Sequence, residues 1–508
     1  MSLLARLQAR VRLQPGAEAL VSGTQRMSYG ELWEAISRVA DGLRGAGVVP
    51  GARVGLLLEN SPEYVACYYG VHGAGGVVVA LNPAARAPEI AGHLRHCGAA
   101  LLVITPTHPQ REAIAETLPD CPLITPELLL GADAHALRCT EPAPDTPAAI
   151  IYTSGTTGCP KGVTLSHRNL DSNVQSILAY LGLTTEDAIV NVLPFHYSYG
   201  NSVLHTHLAA GARVVLDRSM VYPHGVLEAM ASERATGFSG VPSTYAVLLS
   251  RTRITDHDLS SVRYLTQAGG AMAPELTRRV RAALPHARLF VMYGQTEATA
   301  RLAYLPPEHL EEKLGAVGIA IPGVQLDIRD EHGGAVADGV TGEIWARGEN
   351  IMLGYWNDAA ASREVMEHGW LKTGDLAHRD RDGYIYIDGR RSEMIKCGAH
   401  RISPLEIEEV ITEIPGVEDV ACTGIPDELL GQVVKAVIVP RAGWAVTTMD
   451  VQRHCRDRLP AYKVPRCVEF AATLPRTASG KVKRFLLNDG GQMQGERDVS
   501  TRPEYASR

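Results

Sequence analysis

Between the apolar run Ala148-Ala149-Ile150-Ile151 and the alternating Val163-Thr164-Leu165 lies the segment Tyr152-Thr153-Ser154-Gly155-Thr156-Thr157-Gly158-Cys159-Pro160-Lys161-Gly162. Short apolar runs bounded by turn residues read as strands, so this segment is predicted to be a loop joining strands. Glycines let a backbone approach an anion closely, while hydroxyls and an ammonium supply donors that a polyphosphate accepts. Thr153, Ser154, Gly155, Thr156, Thr157, Gly158 and Lys161 are therefore candidate nucleotide-phosphate ligands; the plain alternative is a polar turn with incidental glycines. A Walker-type loop needs glycine directly before its lysine and Ser or Thr directly after it. Pro160 and Gly162 hold those places, which disfavours an ordinary P-loop NTPase.

Around this loop the chain alternates between two periods. From Tyr29 to Gly47, Leu32, Ile36, Val39, Ala40 and Leu43 recur at helical spacing, and Ala52–Leu58 is a short buried-strand pattern. Helices at Tyr64–Ala74 and Pro88–Cys97 and strands at Gly76–Ala80 and Leu101–Ile104 follow. Strand patterns return at Arg213–Leu216, Gly237–Val241, Tyr264–Ala268 and Arg288–Met292. Such alternation predicts βαβ units and a largely parallel sheet. After about Gly315 the texture becomes short strands with glycine turns, as in Val324–Ile328 and Thr341–Ala346. A charged turn at Asp388–Glu393 then leads into a compact region ending near Leu487. With 508 residues, 45% of them hydrophobic, more than one core is expected.

The formal charge of -7, with no lysine/arginine block, gives nucleic acid no footprint. Nine scattered cysteines include no CxxC pair, so a zinc or redox site is not indicated and a reducing compartment fits. The N-terminus reads as an amphipathic helix rather than a signal peptide. The longest apolar runs, such as Gly76–Leu81, fall far short of the roughly 20 residues that cross a bilayer. Stable membrane insertion is not expected, and the cytoplasm is the default location.

The phosphate loop resembles the signature of the adenylate-forming superfamily, which contains acyl-CoA synthetases, firefly-type luciferases and the adenylation domains of peptide synthetases. Tyr293-Gly294-Gln295-Thr296-Glu297, Thr373-Gly374-Asp375-Leu376, the stretch from Gly389 to Glu409, and Pro475-Arg476-Thr477-Ala478-Ser479-Gly480-Lys481 resemble further motifs of that family, in its order. The resemblance implies an α/β protein. Residues 1–389 would form a large domain of parallel-rich αβα sheets with a small β-rich subdomain, and 390–393 a hinge. Residues 394–487 would form a small mobile α+β domain, with 488–508 an unpatterned tail expected to be poorly ordered. It implies ATP, Mg²⁺ and a thiol, either CoA or a carrier protein's phosphopantetheine. A carboxylic acid would become an acyl-adenylate and then a thioester.

Particular residues take roles by the same resemblance. Glu297 offers a hard oxygen to Mg²⁺, with Thr156, and Thr296 stands beside it. Tyr293 and Gly294 border adenine together with Gly269, Gly270 and Ala271. Asp375, read as part of a tight Thr-Gly-Asp turn, accepts from the ribose hydroxyls, with Arg390 as a second ribose contact and Arg401 near the phosphates. Lys481 stabilises charge developing on the α-phosphate and the departing pyrophosphate. Each has a bland counterpart: a solvated acid, a core tyrosine, a turn aspartate, a surface arginine or lysine. Ser392 sits at the hinge where the family usually has Asp or Lys. Gly398 and Ala399 line the thiol passage, with alanine where relatives commonly have glycine. Cys397 beside them has no activating base in sequence and reads as a packed thiol rather than a nucleophile.

The acid would lie among His196, the family's aromatic gate, and Tyr197, Val241, Tyr245, Gly269 and Gly270. No acidic residue occurs from Tyr197 to Val203, so a substrate ammonium would lack a partner. A non-amino, largely apolar acid is expected. The readings that compete with an acid:CoA ligase are a ligase loading a carrier protein and a non-catalytic nucleotide-binding scaffold; a luciferase-like oxidase gains no positive support. The oligomeric state, monomer or homodimer, is open at this level.

Overall fold

A computed structural model describes residues 1–133, 135, 137, 141–153, 161–216, 220–398, 400–476 and 482–487, with only the backbone of Arg401 and Phe485. The chain divides into two compact units. One comprises Met1–Thr373 and Arg379–Tyr386, the other Gly374–His378 and the residues from Ile387 onward.

The first unit contains two sheets. In the larger, Glu18–Ser22, Arg213–Leu216, Ala188–Asn191, Gly237–Gly240, Tyr264–Gln267 and Arg288–Tyr293 lie parallel in that spatial order. Beyond Tyr293 the pairing turns antiparallel through Ala303–Leu305 and Ala316–Ala320. The β-rich region that follows therefore extends the same sheet. In the second sheet Leu101–Ile104, Arg53–Leu57, Val77–Ala80 and Pro147–Thr153 are parallel neighbours. Lys161–Ser166 and then Gly354–Tyr355 close that edge antiparallel.

Strands of both sheets share one core with intervening helices. Tyr29–Gly45 starts on a capping box in which Ser28 and Glu31 satisfy each other's backbone N–H groups. Pro62–Gly73 starts on a Ser61 cap followed directly by proline. Ser198–Ala210 is buried almost all round despite carrying Asn201, Ser202, His205, Thr206 and His207. Local bonds make that burial tolerable: His205 Nδ1 pairs with the Tyr69 hydroxyl at 2.9 Å, and His207 Nε2 with the Tyr264 hydroxyl at 2.6 Å. No described helix is long and apolar enough to cross a membrane.

The second unit is built on a sheet in which Val417–Asp427 and Gly431–Pro440 form the long antiparallel pair. Ile395–Cys397 and Cys467–Phe470 flank Gly431–Pro440, and the core includes Ile395, Cys397, Ile402, Ile407 and Val451. One local expectation is corrected here. Thr373–Asp375 is not a tight turn but lies within the strand Trp370–Arg379. Gly374 at φ +74° lets that strand kink without ending. The strand Ile385–Arg390 likewise runs on into the charged segment, so the turn begins only after Arg390.

Buried histidines make the fold acid-sensitive. Burial lowers the pKa of His167, His196 and His207 to about 4 and of His205 to about 3, and holds His72 well below its usual range. The unfolded chain protonates near pH ~6.5 while the folded one does not, so each such group withdraws up to ~1.4 kcal/mol per pH unit below that point. The loss continues until the folded pKa is reached. Denaturant unfolding is expected to show a midpoint that is flat above about pH 7 and falls steeply by about pH 5; a midpoint unchanged over that interval would contradict the neutral, buried state of these rings.

Candidate active site

In the larger sheet the strand Ala188–Asn191 has its chain successor Arg213–Leu216 on one side and the later Gly237–Gly240 on the other. Strand order reverses there, and in open α/β sheets the crevice outside the carboxyl ends at such a point is where ligands bind. Every loop predicted to hold the acid or the base leaves a carboxyl end along this edge. His196–Tyr199 follows Ala188–Asn191, Val241–Tyr245 follows Gly237–Gly240, Gly269–Ala271 follows Tyr264–Gln267, and Gly294–Glu297 follows Arg288–Tyr293.

These loops are tied to one another. Tyr199 and Tyr245 both donate hydroxyl hydrogens to Thr266 O, at 3.0 and 2.8 Å. Ser239 Oγ meets Thr266 Oγ1 at 2.7 Å. Gln267 Nε2 donates to Gly270 O at 2.8 Å, and Ser198 Oγ lies 3.2 Å from Thr296 Oγ1. His196 packs against Tyr197 with ring centres 4.3 Å apart. Its Nε2 is buried with no hydrogen-bond partner among the described residues. Held neutral by burial, that ring presents an apolar face with one unused polar atom.

The Thr296–Ala298 turn is strained. Thr299 sits at φ +65°, ψ -54°, the centre of a γ-turn closed by Ala300 N–H to Ala298 O at 2.7 Å, a rare conformation that costs a β-branched residue about 1–3 kcal/mol and persists only where its surroundings over-determine it. Gly294 has no room for a Cβ, which would overlap the Ala300 carbonyl. The Glu297 carboxylate accepts from the Tyr355 hydroxyl at 3.0 Å through Oε1. No group of three or more His, Cys, Asp or Glu residues suited to a metal occurs among the described residues. A lone carboxylate with one oxygen engaged fits an ion such as Mg²⁺, which takes most of its ligands from phosphate and water.

Of the segment predicted to hold phosphate, the stem is described and the tip is not. Tyr152 and Thr153 end one strand and Lys161 begins the next, while Ser154–Pro160, with Thr156, lie outside the described residues. Tyr152 stacks on His93 with ring centres 4.1 Å apart, and its hydroxyl lies 2.8 Å from His96 Nδ1. Lys161 Nζ stands 4.8 Å from the centre of the Tyr355 ring.

In the second unit Arg390 Nε donates to Asp375 Oδ1 at 2.7 Å, with Asp375 buried. Ser392 is exposed in the turn after Arg390. Gly398 N–H donates to Leu430 O at 2.7 Å, and Cys397 is packed in the core. Arg401 lies on the strand His400–Ile402, paired with Lys396. Ala399 and Lys481 fall outside the described residues. Missing from the sequence reading are Asn350 and Tyr355, whose residue types and spacing carry no motif.

The family models of the AMP-binding enzyme and of the AMP-binding enzyme C-terminal domain match residues 7–356 and 406–481. The chain belongs to the AMP-binding enzyme family. Its likeness is to the acyl-CoA synthetase type, and it is an AMP-forming acid–thiol ligase that uses ATP, Mg²⁺ and CoA. It is 36% identical to a feruloyl-CoA synthase of an Amycolatopsis species, covering 93% of this chain and 96% of that one. It is 37% identical to an indoleacetate–CoA ligase of Aromatoleum aromaticum, covering 93% and 94%. The o-succinylbenzoate CoA synthetase of Bacillus subtilis, solved with its acyl-adenylate intermediate, superposes with a TM-score of 0.89 at 30% identity, covering 98% of this chain and 99% of that one. The same enzyme has been solved with ATP and a magnesium ion.

Replacing Gly294 by alanine tests the packing of the ligase's Glu297 turn. The added methyl meets backbone rather than a side chain that can rotate away, so a loss of about 1–3 kcal/mol is expected, read as a lower denaturant midpoint at unchanged slope.

Proposed function

We propose that this ligase activates a non-amino, largely apolar acid of the arylalkanoic or arylacrylic kind and transfers it to CoA in the cytoplasm. The acid's carboxylate oxygen attacks the α-phosphorus of ATP, pyrophosphate leaves, and acyl-AMP remains. The CoA thiolate then attacks the acyl carbon, and AMP leaves. What carries the reading is the convergence of the His196, Val241, Gly269 and Tyr293 loops at one edge of the larger sheet, around a strand-order reversal. The acids for which the relatives are named, ferulate and indoleacetate, support the acid class.

Within this reading the acid lies against His196, Tyr197, Val241 and Tyr245. Burial keeps His196 neutral, so the ring orients the carboxylate without forming an ion pair that would blunt its attack. Tyr293, Gly294, Gly270 and Ala271 border the adenine, and the Asp375–Arg390 pair receives the ribose hydroxyls. Thr153, Lys161 and the loop between them hold the phosphates. Magnesium, when bound, neutralises phosphate charge, and Glu297 with Thr156 would hold it. Thr296, next to Glu297 in the chain, ties their turn to the head of the helix at Ser198. Arg401 and Lys481 would offset charge at the α-phosphate, from a domain spanning 394–487 that swings about 390–393 at Ser392. Gly398 and Ala399 would admit the thiol arm.

Two measurements test the proposal. Exchange of labelled pyrophosphate into ATP should depend on ferulate or indole-3-acetate, and phenylalanine should support it at least about a hundredfold less, because its ammonium would be buried unpaired. No exchange with any acid would favour the scaffold reading. Lys481→Ala should lower exchange by about two to three orders of magnitude while thioester formation from supplied acyl-adenylate stays within about twofold. An equal loss of both rates would refute the division of labour.

A further inference from the structure

The turn that carries Glu297 is held from outside by a strap, residues 350–356. At one end the strap locks the turn. Asn350 is fully buried, and its Nδ2 donates to Ala298 O at 3.2 Å and to Arg301 O at 2.8 Å. Its own carbonyl accepts from Thr299 Oγ1 at 2.7 Å, and Met352 N–H donates to Glu297 O at 2.9 Å. At the other end the strap pairs with the strand that begins at Lys161. Leu353 N–H donates to Thr164 O at 2.9 Å and Trp356 N–H to Gly162 O at 2.7 Å. Asn169 at the head of the next helix holds the strap from below, its Nδ2 donating to Glu349 O and Ile351 O, both at 2.7 Å.

Tyr355 stands where the two ends meet. Its hydroxyl donates to Glu297 Oε1 at 3.0 Å, and the face of its ring lies 4.8 Å from Lys161 Nζ. A phenol satisfies both neighbours at once, because its O–H is a donor to a carboxylate and its π face attracts an ammonium. Neither Lys161 nor Glu297 enters a salt bridge among the described residues, although a flexible ammonium and a nearby carboxylate attract one another strongly in a partly buried site. A lysine already neutralised by Glu297 would have less to offer a phosphate, and a carboxylate already neutralised would have less to offer a cation.

We infer that Tyr355 is a positioning residue of the ligase, whose hydroxyl aims the Glu297 carboxylate and whose ring parks the Lys161 ammonium, so that the two charges stay apart and each remains available to metal-bound ATP. The inference rests on the reading of Glu297 as the metal carboxylate and Lys161 as a phosphate ligand. Tyr355 acts through them. The strap holds the arrangement: before the tyrosine its backbone is bonded to the Glu297 turn through Met352, and on both sides of the tyrosine to the Lys161 strand through Leu353 and Trp356.

The test is calorimetric binding of ATP to the full-length protein, with Mg²⁺ in excess and again with the metal removed by chelation. For the wild type, Mg²⁺ should tighten ATP binding. Tyr355→Phe keeps the ring and loses the hydroxyl, so it should lose most of that gain, about tenfold, while metal-free ATP affinity stays within about twofold. Tyr355→Leu loses the ring as well and should weaken metal-free binding too, by about fivefold or more. Glu297→Gln, measured alongside, should abolish the gain from Mg²⁺. If Glu297→Gln retains the full gain, or the wild type shows none, the metal role of Glu297 falls and the inference with it. If Glu297→Gln loses the gain and Tyr355→Phe does not, the positioning role is refuted and the reading of Glu297 stands. If Tyr355→Phe weakens binding equally with and without metal, alongside a lower melting temperature, the tyrosine is only structural and the inference is wrong.

Discussion

Parallel strands force the connections at their carboxyl ends to one edge of a sheet, and the arrangement of this enzyme's first unit follows from that constraint. Gly237–Gly240, Tyr264–Gln267 and Arg288–Tyr293 are fully parallel to Ala188–Asn191 and in register with one another. Residues separated by long stretches of chain, such as His196 and Glu297, therefore leave the same edge without any long-range pairing of their own. The side chains then lock the edge through Thr266, whose carbonyl receives Tyr199 and Tyr245 and whose hydroxyl meets Ser239. These hydroxyl groups would be costly to bury alone; joined, they make a rigid floor.

That floor is polar where a core is usually apolar, and the helix Ser198–Ala210 continues the theme. Its histidines are neutral because burial disfavours their charged form, and two of its hydroxyls return to carbonyls of the same helix, Ser202 to Tyr199 O at 2.7 Å and Thr206 to Ser202 O at 2.6 Å. A helix so buried cannot slide without breaking bonds on several sides. Its first turn carries Tyr199 and its preceding residues carry His196, so the stiffness of the core reaches the crevice directly.

Much of this was legible in sequence. The periodicity of Leu32, Ile36, Val39 and Leu43 marked a helix that the structure places at Tyr29–Gly45, and the runs at Arg53–Leu57 and Leu101–Ile104 are strands. The segment Gly294–Glu297 stood out in sequence by its residue types, and it leaves the carboxyl end of Arg288–Tyr293. Elsewhere the signal failed for physical reasons. Thr373–Asp375 looks like a turn because glycine and aspartate favour turns, but cross-strand bonding overrode local preference and left Gly374 as a kink. The helix Ser198–Ala210 carries polar residues over half its circumference and His207 on the other half, so no clean apolar stripe announces it. Asn350 and Tyr355 escaped notice because the strap is joined to its neighbours largely by backbone N–H groups, which any residue but proline provides.

The same strap bears on how such an enzyme can vary. Asn350 is fastened to Ala298 and Arg301, while Gly354 and Tyr355 are paired with Thr164 and Val163. The span between those anchors is fixed in length, and side chains alternate sides along a strand. Removing or adding a single residue there would turn the aromatic ring toward the opposite side of the sheet. Among descendants of this sequence, the stretch is open to exchange of one side chain for another but closed to insertion and deletion.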